Sequence, residues 1–115
     1  MKHDCIFDAD KQGDVLAFTL RGEIDHHTAV RVRTEMDAMI CELRPQKTVL
    51  DLSAIEFMDS SGLGLIMGRY ALMKKLGGEL TLRKPNPRIA KIFALAGMER
   101  MVHIESEDEG KEETQ

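Results

Sequence analysis

The sequence predicts an α/β layer domain: a small mixed β-sheet of about four to five strands, packed with helices. Three observations carry this. Apolar residues alternate with period two in short runs and recur every three to four residues in the longer runs between them. Glycine, proline and serine punctuate the junctions between those runs. Finally, 115 residues with 43% hydrophobic and 31% charged side chains are enough for one core and too few for two. Strands that alternate with helices imply parallel crossovers, here beside one antiparallel edge at the N-terminal hairpin.

The elements follow in order. "CIFDAD" near the start reads as a short strand, with a turn at "KQGD". "DVLAFTLRGEI" puts Leu16, Phe18, Leu20 and Gly22 on one face and Val15, Ala17, Thr19 and Arg21 on the other, a strand with one strongly apolar face. The period then changes. In "HHTAVRVRTEMDAMICEL" the residues Ala29, Val32, Met36, Met39 or Ile40, and Leu43 form one buried helical face. Pro45 stops that helix, because it lacks an N–H and restricts the residue before it. "KTVLDLS", residues 47–53, is a second firm strand. A helix opens at the serines near Ser60 and runs to about Leu76, where Gly77 and Gly78 end it. "ELTLRK" is a third strand. "NPRIAKIFALAGME" is a helix with Asn86 as N-cap, Pro87 at its first position and Gly97 at its end. "RMVHIE" supplies a last short strand. Residues 1–105 thus form a single domain, and 106–115 an acidic, solvated and mobile tail.

Charge and composition exclude several functions. The net charge of −4 comes from the end of the chain, where "ESEDEGKEETQ" holds six acids and one lysine. The remaining body is nearly neutral, which argues against direct nucleic-acid binding. Aromatic residues are only 4% and tryptophan is absent, so base-stacking platforms are not expected. No apolar run approaches the roughly 20 residues of a membrane span, and the N-terminus lacks the apolar stretch of a signal peptide. A cytoplasmic location follows, with Cys5 and Cys41 as ordinary reduced thiols.

The stretch "FMDSSGLG", residues 57–64, gathers a carboxylate, two hydroxyls and glycines at a helix start. The ordinary explanation is that one serine caps the helix. A hydrolase nucleophile is a poor fit, since the segment is not G-x-S-x-G. A dinucleotide loop needs other glycine spacing and a strand directly before it, and a P-loop needs Gly-Lys-Ser/Thr. His26 and His27, as neighbours, diverge and are ill placed to share a metal. A phosphoacceptor fits the chemistry, because a phosphate at a helix N-terminus meets free N–H groups and would break a fitted interface beside Asp59. The helix beyond is apolar on two sides. Leu63, Ile66 or Met67, Tyr70 and Met73 form one. Leu65, Gly68 and Leu72 form another, which either packs on a neighbouring helix or turns outward to a partner.

"GEIDHHTA", residues 22–29, followed by "FMDSSGLGLIMGRY", residues 57–70, resembles the anti-sigma-factor antagonists, and most specifically the sporulation branch of these STAS-domain proteins, which oppose an anti-sigma-F factor. The likeness runs over about residues 14–105. It implies a small mixed sheet with helices on it and a serine loop at a helix start. It also implies a regulator rather than an enzyme, with no cofactor and no metal. In this family the unphosphorylated antagonist binds the anti-sigma factor and frees the sigma factor. That partner is also an ATP-dependent serine kinase that inactivates the antagonist, and a PP2C-type phosphatase restores it. The phosphoacceptor carries over to Ser60, with Asp59, Ser61 and Gly62 around it and Asp25 and His26 from the other motif near the partner surface. Leu65 and Leu72 are expected to extend that surface outward. Family members often end in an amphipathic helix, which "SEDEGKEETQ" does not match. The rival readings are a small nucleotide-binding or hydrolysing protein built on the glycine-rich helix start, and a scaffold subunit of a stress-signalling complex.

Overall fold

A computed structural model describes residues 4–106. Strands β1 (Cys5–Gln12) and β2 (Val15–Ile24) form an antiparallel hairpin. Helix α1 (His26–Leu43) leads to β3 (Lys47–Met58), α2 (Ser60–Lys75) to β4 (Glu79–Arg83), and α3 (Pro87–Ala96) with a short 3₁₀ turn to β5 (His103–Glu105). The strands lie in sequence order, β1-β2-β3-β4-β5, with every pair after the first parallel. Consecutive parallel neighbours joined by crossovers of one hand carry their helices on one face, so α1 and α2 lie side by side.

The expected apolar alternation in β2 is the core face: Leu16, Phe18 and Leu20 are fully buried, together with Leu50 and Leu52 of β3 and Leu80 and Leu82 of β4. Ala29, Val32, Met36 and Ile40 of α1 close over them, with Ile89 and Phe93 of α3. Each such large side chain contributes about 1.5–3 kcal/mol by leaving water. Leu43, expected on the buried face of α1, is 36% exposed as the last residue of the helix. Arg44 then takes a left-handed conformation and Pro45 prevents continuation, as expected. Asn86 caps α3 by accepting from the Ile89 N–H at 2.8 Å, Pro87 opens it and left-handed Gly97 ends it.

One strand is longer than its pattern suggested. β3 was expected to end at Ser53 but continues to Met58. Its pairing with β2 shifts register twice, which breaks the period-two signal. The Asp51 carboxylate accepts from the backbone N–H and the hydroxyl of Ser53 at one of these irregularities, and the strand resumes with Ile55 and Met58 buried. The expected tail, 106–115, lies outside the described residues except for Ser106. Among the described residues no helix is long and apolar enough to cross a membrane.

Candidate functional site

In an α/β sheet the carboxyl ends of parallel strands share one rim. Here α1 and α2 both start on that rim, at the ends of β2 and β3. The Asp59 N–H donates to Ile24 O at 3.2 Å, fastening the start of α2 to the residue before Asp25. The two motifs, more than thirty residues apart in the chain, are thereby joined.

Each motif opens with a capping aspartate. Asp25 accepts from the Thr28 N–H at 3.0 Å, and the Thr28 hydroxyl oxygen accepts from the Asp25 N–H at 2.9 Å, a reciprocal capping box. The Thr28 N–H holds the Asp25 carboxyl below its ordinary pKa; partial burial opposes this, and the Thr28 hydroxyl and His27 add to the lowering. Asp59 caps α2 by accepting from the Ser61 N–H at 2.7 Å. The expectation that a serine caps this helix is therefore corrected: a carboxylate one residue earlier is a charged acceptor and takes the position. Among the described residues, the hydroxyls of Ser60 and Ser61 have no hydrogen-bond partner.

The two serines face different ways. Successive helical residues diverge by about 100°. Ser60 is exposed, on the same side as Gly64, Met67 and Ala71. Ser61 is half-buried and shares its side with Leu65 and Arg69, toward α1. Gly62 turns to the sheet, where a Cβ would come within 2.1 Å of Met58 Cγ. Its lack of a side chain serves packing on the strand below, and not a phosphate cradle. The strand that the dinucleotide reading lacked is present, but the glycine is already filled from that side.

The outward placement of Leu65 and Leu72 is corrected too. Leu65 is 4% exposed and belongs to the core, and Leu72 is half-buried against it. Because α1 lies beside it on the same face of the sheet, α2 has two buried sides, one to the sheet and one to α1. The packing explanation weighed for this helix is the one that holds. Its solvent side is the run Ser60, Gly64, Met67 and Ala71.

Between the two helix starts lies a groove of about 250 Å³, lined by His26, Ala29, Val30, Arg33, Ser61, Gly64 and Leu65. The rings of His26 and His27 are 6.0 Å apart and inclined at 64°. Among the described residues no group of three or more metal-ligating side chains converges. A larger depression of about 640 Å³ lies along β3 and the start of α3, lined by residues including Ile55, Asn86 and Arg88 and not by the serine loop. Sequence reasoning missed one residue of this rim and one buried further along α2. Thr28 was legible as the third residue after Asp25 in a capping-box spacing. Arg69 is buried among apolar residues, which its polarity argues against.

The family model for the STAS domain matches residues 7–109. An anti-sigma F factor antagonist of Paenibacillus polymyxa is 41% identical over 90 residues, 78% of this chain and 77% of its own. The anti-sigma F factor antagonist of Lysinibacillus sphaericus is 32% identical over 85 residues, 74% and 73% of the two chains. The solved structure of the anti-sigma factor antagonist SpoIIAA in its unphosphorylated form superposes with a TM-score of 0.77 at 25% identity, covering 95% of this chain and 96% of that one. The phosphorylated form of SpoIIAA gives a TM-score of 0.71 at 25% identity, covering 96% of this chain and all of that one.

Proposed function

The chain belongs to the STAS-domain family of anti-sigma-factor antagonists, and from that premise we propose that it is a phosphorylation-switched antagonist of an anti-sigma factor in the sporulation branch. Unphosphorylated, it binds the anti-sigma factor in the cytoplasm and frees the sigma factor. The same partner, acting as an ATP-dependent serine kinase, phosphorylates Ser60 and ends the interaction. A PP2C-type phosphatase reverses the modification. The chain acts as a regulator and not as an enzyme.

One observation carries the choice of Ser60. Asp59 does the capping, which leaves the Ser60 hydroxyl exposed on the solvent side of α2 and without a partner among the described residues. A kinase reaches such a hydroxyl without unwinding the helix. The phosphate adds about 1.5–2 negative charges at a point where helix N–H groups tolerate them. A docked partner would have to desolvate that charge, at a cost of several kcal/mol. Ser61 is the less accessible hydroxyl, half-buried against α1. Asp25, His26, Asp59 and Ser61 belong to the partner surface as its rim, with Leu65 as its buried floor and Leu72 behind it, while Gly62, turned to the sheet, lies beneath it.

The experiment is incubation with ATP and the anti-sigma F factor of Paenibacillus polymyxa, followed by mass spectrometry. A single phosphate on Ser60, absent from Ser60→Ala, is the expected result. Phosphate on Ser61, or turnover of free nucleotide by this chain alone, would overturn it. The nucleotide reading loses its phosphate cradle, since Gly62 at the helix start is packed on Met58.

A further inference from the structure

The groove between α1 and α2 carries a positive charge that no acid among the described residues pairs with. Arg33 lines it, exposed and without a hydrogen-bond or ion-pair partner among the described residues. One turn along α1, Asp37 is committed to the buried Arg69 of α2. The carboxylates of Asp25 and Asp59, which cap the two helices, are engaged by helix N–H groups. All three of these acids already have partners of their own. Beside it stand the unpartnered hydroxyl of Ser61 and the imidazole of His26. The walls are apolar: Val30, 47% exposed, and the buried Leu65. Gly64 leaves an opening, since a Cβ there would meet nothing within 4 Å.

A volume of about 250 Å³ falls below the roughly 300–1,000 Å³ of small-molecule sites, but it admits a protein side chain. A guanidinium pairs best with a carboxylate, through two parallel N–H donors. We infer that the groove receives an acidic side chain of the anti-sigma factor, its carboxylate on Arg33 and Ser61 and its aliphatic stem between Val30 and Leu65. The inference rests on the anti-sigma reading and gives the phosphate switch a specific target. Ser60 adjoins Ser61, so a phosphate there stands at the mouth of the groove and repels that acid.

The test measures binding of the anti-sigma F factor of Paenibacillus polymyxa to the wild-type chain, Arg33→Lys and Arg33→Glu, with thermal melting as the control for folding. Arg33→Glu should bind at least about tenfold more weakly while melting as the wild type does, and Arg33→Lys should fall between. Replacing the acidic residues of the anti-sigma factor one at a time by lysine should reveal one position that restores binding to Arg33→Glu. Wild-type affinity in Arg33→Glu, or a loss that no charge exchange repairs, would overturn the inference while leaving the anti-sigma reading intact. Failure of the wild-type chain to bind would instead remove the reading beneath it, and this inference with it.

Discussion

Arg69 of α2 reaches across to Asp37 of α1, with Nε 2.8 Å from Oδ1, and is itself only 4% exposed. The Nε–H is not aligned on that oxygen, so this contact is ionic, while Nη2 donates to Oδ2 at 3.3 Å and Nη1 to Leu65 O at 3.2 Å. Burial pulls the Arg69 pKa down and Asp37 pulls it back up, with Arg33 adding to the lowering. The pair fixes how α1 and α2 lie against each other, and so the width of the groove. Removing one partner of a buried pair costs more than removing both. Asp37→Ala should lose about 3 kcal/mol in urea denaturation, toward the low end for buried pairs because Asp37 is partly exposed. Adding Arg69→Met should recover part of that loss. Strictly additive losses would show that the pair carries no coupling.

The Asp25 cap predicts a pH dependence. A carboxyl whose folded pKa is depressed stabilises the fold above its unfolded value, near 3.9, and loses that contribution as pH falls through the lower folded value. Asp25→Asn retains an acceptor for the Thr28 N–H but does not titrate. The difference in melting temperature between wild type and Asp25→Asn should therefore shift against the wild type as pH falls below about 4. A difference that stays constant down to pH 2 would show that Thr28 does not hold the ionised form.

Gly64 and Gly68 lie inside α2, yet a Cβ at either would meet nothing within 4 Å. Glycine in a helix interior is less stable than alanine by about 0.8–1 kcal/mol. Gly64→Ala and Gly68→Ala should each raise stability by up to that amount. Gly64 stands on the same side as Ser60, where a docked partner approaches, so anti-sigma affinity should fall in Gly64→Ala. Unchanged affinity in that variant would place the partner away from this side of α2.

Ser60→Asp separates charge from folding. A carboxylate in the first helical turn gains about 0.3–1 kcal/mol, so the variant should melt at or slightly above the wild type. Its affinity for the anti-sigma factor should fall, though by less than phosphorylation achieves, since it carries one charge and not nearly two. Wild-type affinity in folded Ser60→Asp would count against an electrostatic switch.

Much of this was legible in the chain because the signals are local. The alternation in β2, the Asn86–Pro87 start and the Gly97 stop each depend on neighbours within a few residues, and each is found where it was expected. Three features were not legible. The register shifts of β3 hid its last five residues, because a displaced register resembles a loop in sequence. The choice of Asp59 over the serines as the cap was not legible, because aspartate and serine are both favoured N-caps and stand side by side in the sequence. The burial of Leu65 and Arg69 depends on which face of the sheet α1 covers, which is a property of topology and not of the helix's own pattern.

Leu65 offers the sharpest contrast between the two accounts of α2. As an outward residue it would bear on affinity alone. As observed, it is 4% exposed, packed in the core and forming the floor of the groove. Leu65→Asn removes apolar burial and places an amide where α1 and the sheet leave it no water. That change should cost roughly 2–4 kcal/mol of stability, read as a lower urea midpoint with an unchanged slope. Binding should fall mainly in proportion to the unfolded fraction, with a smaller loss of affinity per folded molecule because Leu65 also lines the groove. Ser61→Ala, on the same side of the helix one turn earlier, is the companion measurement. Its hydroxyl bonds to no group among the described residues, so stability should change by less than about 0.5 kcal/mol. Affinity should drop if that hydroxyl meets the partner's carboxylate. A Leu65→Asn protein that melts like the wild type and binds poorly would return Leu65 to the surface.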